Sequence, residues 1–387
     1  MNQERSFRRF LLPPLVFAGG LLAGATAAVL GLCGPFTDVA ADVFCPFVQE
    51  VFYLGITTGT TATTYDPTSN VTRLQMAAFL SRSVDVLLKR GSQRAAIGRF
   101  WSSKGPDVLG LTTVGGNPYL CACDGADVWV ANHASGTVSR VRGSDGKLLE
   151  TWTGAPGAWG VHIAMGRVFV TGADAARLYA IDPSQPAGAV TIVSTAIGSV
   201  PQGVTFDGAR VWTANIGGSV SIVTPGASFP WTVTTVTAGF FEPTGAVFDG
   251  TRVWVTDGGG KLFKFDAAGA ILQTVTAGVD ARYPVFDGAN IWVPGHGDNT
   301  VTVVRASTGA VLQTLTGNGL SLPWASAFDG ERVLVASGND TVSLWKAADL
   351  SVIGSVGTGA STTPNGACAD GVGFWITLYT VGKLARF

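Results

Sequence analysis

Along most of this chain apolar positions come in short runs rich in valine, threonine and tryptophan, broken by glycine, asparagine and aspartate. "RVWTAN" (Arg210–Asn215), "SVSIV" (Ser219–Val223) and "WTVTTVTAG" (Trp231–Gly239) are three in succession. Runs of this length and composition, bounded by turn residues, predict strands. The pattern is then restated. "FDGARVWTANIGGSVSIV" from Phe206 returns as "FDGTRVWVTDGGGKLFKF" from Phe248, as "FDGANIWVPGHGDNTVTVV" from Phe286 and as "FDGERVLVASGNDTVSLW" from Phe328.

Aligned on the turn glycine, the copies fall at Gly125, Gly166, Gly208, Gly250, Gly288, Gly330 and Gly371, at intervals of 41, 42, 42, 38, 42 and 41 residues. Seven copies with several short strands each predict a mainly β fold, a seven-bladed β-propeller. Within a copy, "PQGVTFDG" is the inner strand, and the Asp-Gly pair predicts a tight hairpin turn into the second strand. Four residues past the glycine stand Trp129, Trp212, Trp254, Trp292 and Trp375, with Leu334 in another copy and Phe169, one residue early, in the remaining one. Large rings recurring at one offset are read as packing between blades. The seventh copy stops after its third strand, while Asp107–Gly116 ("DVLGLTTVGG") is a strand without a blade. Pairing residues 107–116 with 383–387 would close the ring, and an unpaired edge invites aggregation.

Before the repeat the period changes to that of helices. Phe44, Phe47, Val48, Val51 and Leu54 are spaced by three and four, then Gly55 ends the helix. In "NVTRLQMAAFLSRSVDVLLKR", Thr72 and Gln75 form a capping box, followed by Met76, Phe79, Leu80, Val84 and Leu87. Further upstream, Arg5, Arg8 and Arg9 precede an apolar run from Phe10 to Leu32, with Ala25-Thr26-Ala27 as a small-x-small cleavage site. Residues 1–27 are read as a signal peptide, which would be a membrane anchor if left uncut. The rest of the chain is expected to be exported, to the envelope, the periplasm or beyond. In that setting a disulfide between Cys33 and Cys45 is expected to clip the first helix. Residues 91–106, with Arg94, Arg99 and Lys104, are read as a solvated linker.

"FTDV" (Phe36–Val39), "LGITTG" (Leu54–Gly59), "YDP" (Tyr65–Pro67) and "VTRLQMAAFLSR" (Val71–Arg82) together resemble a surface-layer homology (SLH) repeat over residues 33–90. The resemblance implies noncovalent attachment to cell-envelope polysaccharide, with Arg73 as the glycan contact and Thr72 its neighbour. Gln75 stands where the family's block carries an acid. The repeat itself resembles the NHL and YVTN propellers through "PQGVTFDG", "VWVTD" and "DNTVTVV".

Net charge is −1 and only 13% of residues are charged. With no clustered basic face, nucleic acid is excluded as a partner. In this strand order the start of the inner strand and the loop after the second strand share one face. That face would gather Asn132, Trp159, Gln202, Asn215 and Asp257, with Tyr283, Asp298, Trp324, Asn339, Asn365 and Tyr379. Polar, aromatic and different in each blade, it is the candidate ligand surface for a glycan or a surface protein. Streptogramin-lyase-like and metal-dependent lactonase propellers supply the rival reading, with His133, His296 and Glu242 as acid–base candidates. His162 falls on an inner strand. No cofactor is expected, a divalent cation being what the lactonase resemblance would add. The chain has no H-E-x-x-H, G-x-S-x-G or phosphate loop.

Overall fold

The computed structural model describes residues 36–40, 44–53, 56–89 and 110–387. The signal segment, Cys33, Gly55, the linker and residues 107–109 lie outside them. The chain divides into two units, Met1–Gly91 and Ser92–Phe387. Among the described residues no helix is long and apolar enough to cross a membrane.

In the first unit α1 spans Cys45–Tyr53 and α2 spans Arg73–Lys89. The Thr72 N–H donates to Gln75 Oε1 at 2.8 Å, and the Gln75 N–H donates to Thr72 Oγ1 at 3.2 Å. These two bonds satisfy donors that the first helical turn cannot. "FTDV" and "YDP" are parts of one knot. Phe36 packs edge-on against Phe52 at 5.1 Å and against Tyr65 at 5.4 Å, and the Asp38 carboxylate accepts the N–H groups of Tyr65 and Asp66, each at 2.8 Å. The Tyr65 bond in particular holds the Asp38 carboxyl below its usual value. The helical spacing predicts one buried stripe; among its described residues Val48 is buried and Val51 half-buried, while Phe44 and Phe47 are 66% and 63% exposed. Met76 and Leu80 on α2 are exposed too. Among the described residues the core here is Phe36, Val39 and Val48, with Cys45, Phe52 and Tyr65 packed against it. Cys45 is disulfide-bonded, whereas Cys121, Cys123 and Cys368 are free thiols.

The second unit is seven four-stranded antiparallel sheets, the blades of a propeller. Six blades use four consecutive strands each. The seventh runs Pro364–Ala369, Phe374–Leu378, Lys383–Arg386 and then Gly110–Thr113, the strand that precedes blade one. The register there is Gly110 with Arg386 through Thr113 with Lys383. Thr112 Oγ1 also donates to the carbonyl of Gly146 in blade one.

Five blades share one device at the end opposite the mouth. In blade three, Asp207 Oδ1 accepts the N–H groups of Ala209 and Arg210 at 2.8 and 2.6 Å. Its Oδ2 takes the indole N–H of the fully buried Trp212 at 2.7 Å. Asp124, Asp249, Asp287 and Asp370 do the same for Trp129, Trp254, Trp292 and Trp375. The aspartate therefore shapes the turn with its side chain, and the loop is wider than a two-residue hairpin. Only blade two has the tight form, with Met165 and Gly166 both at positive φ and Ala164 paired with Arg167. In blade six, where Leu334 replaces the tryptophan, Asp329 pairs with Arg332 at 2.7 Å.

Candidate functional site

The mouth is built by a repeated irregularity. In six blades the ladder between inner and second strands shifts register just after the first residue of the inner strand, as between Pro201 and Gly203 or between Pro364 and Ala367. The other four shifts follow Pro118, Ala158, Pro243 and Pro323. A bulge re-aims the residue it frees from the ladder. The freed residues are Tyr119, Trp159, Gln202, Thr244, Trp324 and Asn365. Blade five differs: its inner strand is only Val285–Phe286. Pro284 has no N–H to give the ladder, and Tyr283 bonds blade six instead, through the Trp324 carbonyl at 3.0 Å and the Ser326 N–H at 3.2 Å.

These side chains meet near the axis. The Trp159 indole N–H donates to the Tyr283 hydroxyl, which donates to Gln202 Oε1 at 2.6 Å. Three blades are thereby tied into a plug. Beneath it lies a void of about 120 Å³ touching Leu120, Val161 and Tyr283, and beyond that a cavity of about 350 Å³ opens toward the turn end. Tyr119 stacks on Trp159 with centroids 3.6 Å apart and an interplanar angle of 17°. His133 and Tyr379 flank Tyr119 at 5.5 and 5.1 Å. On the other side Trp324 lies 4.8 Å from His296 and under the Arg282 guanidinium at 4.7 Å. Asn365 is buried, and its Oδ1 has no hydrogen-bond partner among the described residues. Burial raises the Tyr119 and Tyr283 hydroxyl pKa values well above normal, so both stay protonated donors.

The rim is held by one backbone bond repeated in every blade. The N–H after the second strand donates to the carbonyl just before the inner strand, as in His133 to Asn117 (3.0 Å), Ile216 to Val200 (3.0 Å), His296 to Asp280 (3.1 Å) and Tyr379 to Thr363 (3.1 Å). Asn117, Val200, Asp280, Leu322 and Thr363, five of the acceptors, stand at positive φ. For branched Val200 and Thr363 this costs on the order of 1–3 kcal/mol each, which the surrounding sheets offset. A second set of bonds grips the inner strands. Thr171 Oγ1 accepts the Gly160 N–H and donates to the Gln202 carbonyl, both at 2.8 Å. Thr377 likewise links the Gly366 N–H to the Tyr119 carbonyl. The approach is so close that a Cβ on Gly160 or Gly366 would collide with that carbonyl.

Two histidine–carboxylate pairs stand on the face. His133 Nε2 is 3.5 Å from Asp174, and His296 Nδ1 is 3.0 Å from Asp280, which also holds Arg282 at 2.7 Å. Burial works to raise the Asp280 pKa, but the bonds from His296 and Arg282 outweigh it and keep the carboxyl below its normal value. Glu242 and Asp280 both reach Gly258, where a Cβ would lie 3.1 and 3.5 Å from their oxygens. Glu242 and His296 are thus on one side of the mouth and His133 on the other.

Several residues expected on the ligand face bond within the scaffold. Asn132 and Asn215 are fully buried and donate to hydroxyls of their own blades, Ser139 and Ser221, at 3.0 Å each. Asp257 is buried and accepts the N–H groups of Phe241, Glu242 and Gly259. Each ends a second strand, where a short polar side chain finds its own turn before it finds solvent. Asp298 Oδ2 likewise accepts the Val279 N–H at 3.0 Å. Asn339 is exposed, its oxygen accepting the Thr341 hydroxyl at 2.6 Å. His162 lines the lower cavity, and burial pushes its pKa down to about 4. Sequence reasoning missed Tyr119, Asp280 and Arg282. Tyr119 sits six residues before its turn glycine, as Gln202 and Trp324 do, and that offset marks it. Among the described residues no three of His, Cys, Asp and Glu are grouped to hold a metal ion.

No curated protein sequence matches the chain. Among solved structures, virginiamycin B lyase from Staphylococcus aureus superposes with a TM-score of 0.61 at 15% identity, covering 71% of this chain and 98% of that one. Hydrazine synthase from Kuenenia stuttgartiensis gives 0.60 at 15% identity, with 73% and 98% covered. The WD40 propeller domain of Doa1 gives 0.59 at 15% identity, with 72% and 95% covered. Identities this low show a shared fold. Residues 35–77 match the S-layer homology domain family, which implies a cell-surface or envelope location. The chain therefore carries an S-layer homology domain ahead of a seven-bladed β-propeller.

Proposed function

We propose that the protein is an envelope-attached binding protein, in which the S-layer homology domain anchors and the propeller mouth engages a surface glycan or protein. The carrying observation is the Tyr119–Trp159 stack beside Tyr283 and Trp324, bordered by Arg282, His133 and the unsatisfied Asn365 oxygen. Flat aromatic surface with a few convergent polar groups suits a ligand of mixed character, of which a sugar ring is the leading example. Binding of the full mature chain to glycans from its own envelope tests this. Tyr119→Ala is expected to weaken binding at least tenfold, while Tyr119→Phe keeps most of it. Equal losses from both would discard the aromatic floor as the site.

Attachment makes a separate prediction. Arg73 is exposed at the first turn of α2. Arg73→Ala should reduce co-sedimentation of the mature protein with purified cell-wall polysaccharide severalfold, and added salt should do the same if the glycan is anionic. Sedimentation indifferent to both would leave this domain without its glycan contact.

The His296–Asp280 pair near Glu242 supports a second reading, an acid–base enzyme on the same face. Asp280 orients His296 through Nδ1, leaving the other ring nitrogen to exchange a proton with substrate. Turnover of cyclic esters or lactones, lost in His296→Ala with binding retained, would favour this reading over simple binding.

A further inference from the structure

Three thiols converge where the ring closes. Cys121 and Cys123 are two residues apart on the inner strand of blade one, and Cys368 is on the inner strand of blade seven. Side chains two apart share a face of a strand, and both pack with Cys368 and Trp375 in one cluster between the first and last blades. The neighbouring residues Ala367 and Ala369 pack on the opposite side, toward blade six. Cys368 therefore points at blade one. The two inner strands run side by side at contact distance, because Gly366 meets the backbone of Tyr119 and Leu120. Two residues further along both strands are Cys121 and Cys368. The Cys121 thiol donates to the Trp375 carbonyl at 3.7 Å, and Trp375 is the residue directly opposite Cys368 in its hairpin. The same geometry puts the two sulfur atoms against each other.

We propose that Cys121 and Cys368, both free thiols in this structure, are oxidised to a disulfide in the protein at the cell surface, a covalent seal across the seam between blades one and seven. Such a bond requires Cα atoms near 5.5 Å and facing Cβ vectors, and Cys121 and Cys368 sit in one cluster on adjacent inner strands. An oxidising location supplies the reason for it to persist. The chemistry is thiol–disulfide exchange with a disulfide oxidant, either a small molecule or an oxidoreductase. One thiolate attacks the oxidant's disulfide and releases one thiol from it. The second thiolate then displaces the other, so the pair loses two electrons and two protons and the oxidant leaves as two thiols. The cavity of about 350 Å³ touches Cys121, Cys123 and Cys368, which gives the oxidant a way in. Burial raises the pKa of Cys368 well above normal and pushes Cys123 up to about 12. Once the ring is folded the thiols are poor nucleophiles, so the bond forms fastest while the seam is still closing.

The test uses the full mature chain refolded with oxidised glutathione. Peptides digested without reduction should contain a Cys121–Cys368 link, with Cys123 alkylatable. Cys368→Ser and Cys121→Ser should each lower the melting temperature of the unreduced protein by roughly 5–10 °C. The double variant should fall no further than either single one, and Cys123→Ser should melt like the parent. Three free thiols after refolding, a link through Cys123, or additive losses in the double variant would each overturn the assignment. If a serine variant fails to fold, the peptide map of the parent still decides.

Discussion

Deletion of Gly110–Gly116 is expected to abolish the cooperative unfolding transition of the propeller and leave an aggregating chain. That segment is the outer strand of blade seven, held in register from Gly110–Arg386 to Thr113–Lys383. It also carries Val114 into the cluster between blades one and seven and ties Thr112 to Gly146. Each lost backbone bond is worth about 0.5–1.5 kcal/mol net, and the apolar surface opened at the seam adds to the loss. Against a total stability of roughly 5–15 kcal/mol, the sum removes most or all of it. The exposed edge of Lys383–Arg386 would then pair with other chains. Circular dichroism melts with light scattering measure both effects. A synthetic peptide of residues 107–116 added in trans should restore part of the transition. A deletion variant that melts like the parent would show that the seam is held elsewhere.

Asp249→Ala is expected to lower stability by about 2–4 kcal/mol, and Asp249→Asn by clearly less. The alanine variant leaves the buried Trp254 indole N–H without its acceptor at 2.7 Å and strips two backbone N–H groups of the turn of theirs. A buried donor without a partner costs about 1–3 kcal/mol. Asparagine keeps an acceptor oxygen, though it cannot serve indole and turn equally. Chemical denaturation at neutral pH compares them, and equal losses would mean that the charge, not the acceptor geometry, matters. The same devices fix the acid limit of the fold. Burial acts to raise the pKa values of Asp124, Asp207 and Asp249, but the indole and backbone N–H bonds outweigh it and lower all three. A carboxylate with a depressed folded-state pKa contributes stability above its unfolded pKa, near 3.9. That contribution is lost as pH falls through the folded value. The melting temperature should therefore be flat from neutral pH to about 5 and drop steeply below about 4. Asp249→Asn should blunt the drop.

The fold was legible because the repeat is periodic and its aromatic positions are buried. Trp129, Trp212, Trp254, Trp292 and Trp375 recur at one offset and are fully buried, and the turn aspartate five residues before each is its acceptor. That acceptor role was not legible, since Asp-Gly is equally the mark of a tight hairpin. Only a side-chain contact decides between a two-residue turn and a wider loop shaped by the carboxylate. The mouth was legible in outline. Trp159, Tyr283 and Trp324 could be placed at the entries of their inner strands, but their contacts depend on bulges that a strand pattern does not record. Asn132, Asn215 and Asp257 share the composition of a binding loop and are occupied by their own blades, which sequence cannot distinguish. The 38-residue interval between Gly250 and Gly288 and the proline at 284 were the visible signs of blade five's departure. They mark the blade that sends Tyr283 to the axis.

The threonine links from Gly160 to Gln202 and from Gly366 to Tyr119 have a consequence for how such a protein can diversify. They hold backbone carbonyls, so the frame of the mouth does not depend on which side chains stand at those positions. The frame can therefore stay fixed while lining residues change, but 159, 202 and 283 change together because their side chains bond one another. With Thr244 retained for its bond to the Ala281 carbonyl, the remaining mouth positions amount to six codons, a small combinatorial alphabet on a constant frame. A library randomised at 119, 159, 202, 283, 324 and 365 would vary the lining of the mouth while the tryptophans and aspartates at the far end continue to fold the blades.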